Sequence, residues 1–541
     1  MSVIGFLGSI GRDLRYAVRG LARRPSFTVA AVLTLAIGIG ATTAIFSVVY
    51  SVLIKPLPYP NAGELVRIRY SSAALNTNDL GSTPTQYFTY RAESRTIAEI
   101  GLWGDGGVTV TTPDGTERIR SVGVTHGLLQ ALGVQPVRGR WFTEQEHGPA
   151  AEGPDPIIVS YGFAQSRYGG DEAALGRDLV VNGRPAQIVG IMPAGFRFLD
   201  MSPPFEVMVA LRLNPATQTI GGFGLPALAR LKPGVTPQQA SADIERMLPL
   251  WLEAWPMAQG STVTREAIAN WRITPIVRPL KDDMVGGIAS ALWVILGAIG
   301  AVLLVACANI ANLMLVRPDA RRPELAIRAA PGAVPARIAR ELLVESLVIG
   351  AIGGALGLVL AYGGLQLLVA IGPTDLPRLE EIAIHPTVLA FTVAISLAST
   401  LAFGSITALK HARGIELSAF GGMRGGSASR ERSTTRNALV VVQVALALVL
   451  VVSAVLMIRT FQALRDVDPG FADPTTIQTV RTWAPPQTRP PQFVVIQHEI
   501  LDAVAALPGV TAAGFTSELP MEGPPFVRDG QISIEGRPVA P

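Results

Sequence analysis

One cysteine in 541 residues, Cys307, and five histidines leave little from which to build a metal centre. A single thiol excludes any disulfide within the chain, and no His-x-x-x-His or Cys pair supplies zinc-ligand spacing. Charge is scarce as well, at 16% of residues against about a quarter in ordinary soluble domains. Aromatics make up 6% and are not interleaved with basic residues, so a net charge of +4 does not point to nucleic acid. Nowhere does Gly-x-x-x-x-Gly-Lys-Ser/Thr occur; "GDGG" and "GGDEAALG" lack the following lysine, and nucleotide hydrolysis by these residues is not expected. Ser160 in "VSYG" lacks the Gly-x-Ser-x-Gly elbow. His126 and His147 read as structural or solvent-facing. No catalytic, cofactor-binding or metal-ligating residue is predicted.

Hydrophobic residues make up 49% of the chain and gather in blocks, with the charges between them. Such blocks exceed what a buried soluble helix needs, and about 20 apolar residues cross the hydrocarbon layer. Five spans are predicted, over residues 26–54, 284–316, 342–371, 388–409 and 438–458. Residues 1–25 are too broken by charge for a signal peptide; Leu14, Ala17, Val18 and Leu21 share one helical face, which predicts an amphipathic helix at the membrane surface. The expected fold is a membrane α-helical bundle of five spans, with an extracytoplasmic mixed α/β domain over 55–283 and the start of a second over 459–541.

The connectors set the orientation. Residues 317–341 carry Arg317, Arg321, Arg322, Arg328, Arg337 and Arg340, and residues 410–437 carry Lys410, Arg413, Arg424, Arg430, Arg432 and Arg436. The loop 372–387 holds Asp375, Glu380 and Glu381 against Arg378. By the positive-inside rule the basic connectors and the N-terminus are cytoplasmic, while the short loop and both soluble segments are outside.

Within span three, Gly350, Gly353, Gly354 and Gly357 put small residues on one side, where another helix can approach closely. Glu345 lies near the cytoplasmic start of that span and is assigned no proton relay. Asn309, Asn312 and Cys307 interrupt the end of span two, where interhelical hydrogen bonding is the modest reading.

In 55–283, "GELVRIRY" and "DPIIVSYG" read as strands, and "PTQYFTYRAESRTIAEI" and "TPQQASADIERMLPLWLEAW" as helices. Asn182-Gly183 joins two apolar runs, Leu179 to Val181 and Ala186 to Ile191, as a tight hairpin. After the fifth span, "FVVIQHEILDAVAALPGVTAAGF" reads as an amphipathic helix, a Pro-Gly turn and a strand.

Several segments, in order, carry a family resemblance: "RDLRYAVRGLARRPSFTVAAVLTLAIGIGATTAIFSVVYSVLIKPLPYP", "NGRPAQIVGIMPAGFRF", "LKPGVTPQQA", "VACANIANLMLVRPDARRPELAIRAAPGA" and "RNALVVVQVALALVLVVSAVLMIRTFQALRDVDPGF". Together they resemble the FtsX-like and MacB-like permeases of ATP-binding-cassette transporters, of the acidobacterial duplicated orphan permease type. The resemblance implies four spans around an outside core domain, repeated; the stop at Pro541, before a second half is complete, reads as a truncated frame or as a shorter protein that pairs with a second copy.

The resemblance also implies a cytoplasmic coupling segment of the form Arg-Glu-x-Ala-x-Arg-x-x-x-Gly-Ala. Glu324, Ala326, Arg328, Gly332 and Ala333 match it, and Pro323 and Pro331 depart from it. Pro323 suits a helix start, whereas Pro331 ends one early and removes an apolar contact. Read from residues alone, "ELAIRAA" is a short helix with Glu324 at its positive end. In "VPARIARELL", Val334, Ile338 and Leu342 line one face, leaving Arg337 and Arg340 towards solvent, a partner or lipid headgroups.

The function implied is that of a permease subunit in the bacterial inner membrane, coupling hydrolysis by a separate cytoplasmic ATPase dimer to export or mechanical work across the envelope. ATP and Mg belong to that partner and no cofactor to this chain. A second permease copy, a periplasmic adaptor and membrane lipid stand as further partners. Two alternatives stay open: a signalling or scaffold protein that recruits or regulates an envelope enzyme, and a nonfunctional truncated permease.

Overall fold

The computed structural model describes residues 14–112, 115–148, 153–199, 201, 204–259, 263–316, 335–371, 378–420, 427–466, 476–480, 482 and 490–516. These residues form two compact units. One comprises the residues up to Lys55 and those from Val285 through the fifth long helix; Pro56–Met284 form most of the other.

The first unit is helical. Five helices are long and apolar enough to cross a membrane: Pro25–Ile54, Leu280–Met314, Arg340–Ile371, Pro386–Ser405 and Val440–Ala463, here spans one to five. Span one starts with Pro25 at its first position, where a missing amide hydrogen costs nothing, and contains no charged residue. Its last turn, Tyr50–Ile54, widens to a π turn, and Lys55 leaves the helix with ψ 130° ahead of Pro56. The helix carrying span three begins at Pro335, so residues 335–341 of the predicted coupling segment form its first two turns. Span four's helix runs from Pro386 to Phe420, and span five's from Ser427 to Arg465. Leu35, Ile39, Leu303, Ile310, Ile349 and Phe403 form a core shared by spans one to four. Of the stripe expected on the N-terminal helix, Ala17 and Leu21 are buried, whereas Leu14 and Val18 are exposed.

The second unit is built on eleven strands: β1 (Leu65–Ser72), β2 (Thr77–Leu80), β3 (Ile97–Thr112), β4 (Gly115–Val124), β5 (Arg138–Gly139), β6 (Asp155–Val159), β7 (Asp178–Val181), β8 (Arg184–Ile191), β9 (Val207–Ala210), β10 (Ala227–Leu231) and β11 (Thr274–Pro279). They run in the order β11-β1-β10-β3-β4-β9-β6-β8-β5, with β2 on β1 and β7 on β3 and β8. Most pairs are antiparallel; β4 with β9 and β6 with β8 are parallel. The long β3 makes two lobes out of one sheet, because Ile97–Leu102 pair with β10 and Trp103–Thr112 with β4. "GDGG" therefore lies inside a strand, where bare glycines suit a bent backbone.

Helices α1 (Pro84–Glu93) and α2 (Leu128–Leu132) precede α3 (Tyr161–Tyr168), α4 (Asp171–Ala174), α5 (Pro237–Ala254) and α6 (Arg265–Asn270). Thr83 and Thr236 cap α1 and α5 through reciprocal bonds with Gln86 and Gln239. The two helices α1 and α5 are pinned together where Trp251 Nε1 donates to Thr85 Oγ1 at 2.7 Å and, just past the end of α5, Trp255 Nε1 donates to Thr89 Oγ1 at 2.9 Å.

Three local expectations are corrected. The helix read through Ile100 stops at Glu93, because Asp243 on α5 accepts hydrogen bonds from the backbone of Arg95 and Thr96, and β3 begins at Ile97. "DPIIVSYG" is a strand only to Val159; Ser160 Oγ accepts from Phe163 N at 3.2 Å and caps α3, which gives that serine a structural role. After the fifth span, Pro490–Ala505 is helical and Gly509, with φ 92°, makes the turn, but residues 511–516 form no strand among the described residues. The Asn182-Gly183 hairpin forms as read, with φ 51° and 75°.

Candidate functional site

Span three is the element that the other helices approach most closely, and its glycines explain how. The four divide between two neighbours. A Cβ built on Gly353 would lie 2.8 Å from Leu35 Cβ, and one on Gly357 would lie 3.0 Å from both Ala36 O and Gly40 N, all on span one. Gly350 and Gly354 face span four instead, against Thr400 and Ser396, the latter at 2.6 Å from a Cβ on Gly354. Spacing of four within each pair keeps both members on one face, and the two faces serve two helices.

Span four answers with hydroxyls at the same spacing. Thr392, Ser396 and Thr400 donate to the carbonyls of Val388, Thr392 and Ser396 at 2.8, 2.6 and 2.6 Å, which satisfies each polar group within its own helix. Because the Thr392 hydrogen is committed to Val388, its oxygen is left to accept from Thr43 Oγ1, 3.1 Å away on span one. This ladder escaped the sequence reading; the Thr-x-x-x-Ser-x-x-x-Thr spacing was its signal.

A charged cluster closes the Lys55 end of span one. Glu381 holds Arg378 through two bonds, at 3.1 and 2.8 Å, and Lys55 Nζ at 3.0 Å. Burial works against the charge on Glu381, but Arg378 and Lys55 outweigh it and hold the carboxyl below the usual glutamate range. The sequence used these charges only to orient the loop.

In the second unit, His126 and His147 meet edge to face with ring centroids 5.7 Å apart. His147 Nδ1 lies 3.3 Å from Leu211 O, and burial, with His126 and Arg91 adding to it, lowers its pKa from 6.5 to about 4. Unfolding releases a histidine that protonates readily. Stability contributed by keeping His147 neutral is therefore intact above pH 6.5 and is lost as pH falls towards 4, by about 2 kcal/mol at pH 5. In His147→Phe that acid sensitivity should shrink, read from thermal midpoints between pH 7 and 5; an unchanged difference would refute the assignment. Among the described residues no group of three or more His, Cys, Asp or Glu is arranged to hold a metal ion. Asp155 accepts from Arg184 at 3.0 Å and Arg212 at 2.7 Å beside a hollow lined by Ile157, Val181 and Val209, so those charges answer one another within the domain.

Two family models match the chain. Residues 28–247 match the MacB-like periplasmic core domain and residues 296–417 the FtsX-like permease C-terminal domain. The chain belongs to the FtsX- and MacB-like permeases.

It is 28% identical over 277 residues to the macrolide export ATP-binding/permease protein MacB of Wolinella succinogenes, covering 51% of this chain and 39% of that protein. To the uncharacterized ABC transporter permease YknZ of Bacillus subtilis it is 26% identical over 255 residues, 46% of this chain and 58% of that one. The chain thus spans well under two thirds of these relatives. The crystal structure of the periplasmic region of MacB from Actinobacillus actinomycetemcomitans is 10% identical, covers 42% of this chain and 93% of that one, and superposes with a TM-score of 0.30.

The coupling residues named from sequence, Glu324, Ala326, Arg328, Gly332 and Ala333, lie outside the described residues, as does the side chain of Arg337 on the first turn of span three's helix. Glu345 is half-buried and directly precedes Ser346, whose hydroxyl donates to Leu342 O at 2.8 Å. Cys307 is buried in the span core, Asn309 is exposed, and Asn312 Oδ1 is buried with no donor among the described residues.

Proposed function

We propose that this permease is the membrane subunit of an ATP-binding-cassette transporter of the bacterial inner membrane, with N-terminus and arginine-rich connectors in the cytoplasm and the β-sheet unit in the periplasm. A separate ATPase dimer, which binds ATP and Mg, docks on the segment containing Glu324, Ala326, Arg328, Gly332, Ala333 and Arg337. Its closure and opening tilt the spans, and the movement reaches the periplasmic domain as export or as mechanical work across the envelope. A second permease copy and a periplasmic adaptor complete the assembly.

The observation that carries this reading is the order of the two matched regions on one chain, a periplasmic core domain followed by a permease domain. A second feature supports it. The strand that follows span one and the strand that precedes span two, β1 and β11, are antiparallel neighbours from Val66–Pro279 to Ser71–Thr274. Force arriving along either chain segment meets the same hydrogen-bonded pair. Asp283, in the first turn of the helix that carries span two, strengthens it through Arg69 at 2.9 Å and Arg67 at 3.8 Å.

Affinity isolation from solubilised membranes should recover an ATPase, and Glu324→Ala with Arg328→Ala should lose it while the protein stays folded. Recovery of a hydrolase or sensor in place of an ATPase would favour the signalling reading. In a Cys307→Ala background, Arg328→Cys and Gly183→Cys should be labelled from opposite sides of the membrane; labelling from the same side overturns the orientation and the docking face with it.

A further inference from the structure

The π turn that ends span one departs from the α-helical hydrogen-bond pattern, and such turns recur at functional sites. Lys55 N donates to Tyr50 O at 2.7 Å, which closes the wide turn; the carbonyls of Val52 and Lys55 lie past the start of this last turn, where no further helical amide follows to meet them. Both are met by one side chain from the loop between spans three and four. Arg378 Nη1 donates to Lys55 O at 2.9 Å and towards Val52 O at 3.4 Å, while its Nε and Nη2 hold Glu381. The Arg378 side chain is 3% exposed, and its backbone sits at φ 58°, a conformation a non-glycine residue adopts at a cost. A surface ion pair would need neither the burial nor the strained backbone.

Contacts continue from this point along the first turns of span four. Tyr50 lies against His385 with ring centroids 5.6 Å apart, its hydroxyl is 3.3 Å from Thr387 Oγ1, and Phe46 stacks on Phe391.

We propose that Arg378 is a positioning residue, the bolt of a latch that caps the π turn of span one and ties it to the start of span four, so that these two helix ends move as one. What that movement accomplishes rests on the transporter reading; the latch itself does not.

The test is backbone hydrogen exchange on the full chain in lipid nanodiscs, without an ATPase. In Arg378→Ala, the amides from Val52 to Lys55 should exchange about tenfold faster, the effect of removing charged hydrogen bonds from buried partners, while those from Val32 to Ile39 stay unchanged. Glu381→Gln retains the carbonyl caps and should show a smaller rise. Millimolar ethylguanidinium should restore protection in Arg378→Ala, and sodium chloride at equal ionic strength should not. Unchanged exchange at 52–55, acceleration spread along the whole of span one, or absence of rescue by ethylguanidinium would each overturn the latch. Because no ATPase is present, these outcomes leave the transporter reading untouched, and failure to recover an ATPase leaves the latch untouched.

Discussion

Replacing Asp243 with alanine should lower the stability of the β-sheet unit by about 3–5 kcal/mol, the loss seen when one partner of a buried ionic network is removed. Few residues here carry so many bonds. Oδ2 accepts from Ser94 Oγ, Arg95 N, Thr96 N and Thr96 Oγ1 at 2.9, 2.8, 3.2 and 3.0 Å, and Oδ1 accepts from Arg246 Nε and Nη2 at 3.0 and 2.8 Å. The carboxylate thereby holds the turn from α1 into β3 against α5, and its loss leaves several donors and a guanidinium unanswered. Trp251, which packs on the same helix pair, should report the change as an earlier loss of its fluorescence on heating, by roughly 6–20 °C for a domain of this size.

The same group gives the effect a pH signature. Burial disfavours its charge, but the bonds from Arg246, the Arg95 backbone, Ser94 and Thr96 prevail and lower its pKa from 3.8 to about 2. A carboxyl depressed in the folded state contributes stability above its unfolded pKa and loses it as pH falls through the folded value. The contribution of about 2 kcal/mol should therefore be complete above pH 4 and vanish near pH 2. In Asp243→Asn that part of the acid profile should flatten; a midpoint within a degree of the parent at neutral pH, for either variant, would show that the turn is held by something else.

What the sequence made legible follows physical range. Span one announces itself because nothing charged interrupts Ser26 to Ile54, and the β7–β8 hairpin because Asn182-Gly183 carries its own backbone preference. Both are local signals. The end of α1 was misread because it is imposed by Asp243, about 150 residues later, on a stretch whose own periodicity still favours helix. "GDGG" gave no strand signal, since glycines become strand residues there only through the ten-residue pairing of β3 with β4. Arg378 and Lys55 were legible as charges but not as neighbours, being 323 positions apart in the sequence. The coupling residues from Glu324 to Ala333 fall outside the described residues, so they rest on the family resemblance. Span three's glycines were legible as a close-packing stripe, yet their division between two helices was not. Positions three apart diverge around the axis by about 60°, enough to face different neighbours once a third helix is present.

That division yields the second large effect. Gly357→Leu should destabilise the helical unit by about 3 kcal/mol, at the upper end of overpacking costs, because the atoms a side chain would strike are backbone: Ala36 O and Gly40 N at 3.0 Å from its Cβ. Span one cannot relieve this by a rotamer change; one helix must move. Retreat would part Gly40 from Gly357, whose carbonyl already stands 2.8 Å from a Cβ built on Gly40, and would loosen Gly353 from Leu35 on the same face. Gly363→Leu and Gly364→Leu make the matched controls, since a Cβ at either position meets nothing within 4 Å although both lie on the same helix. Replacing glycine raises helix propensity by about 1 kcal/mol at all three sites, so the controls should melt at or above the parent temperature in detergent and Gly357→Leu well below it. Equal melting of the three variants would mean that spans one and three are not held at this face. The close approach of Gly40 to Gly357 would then contribute nothing to the bundle.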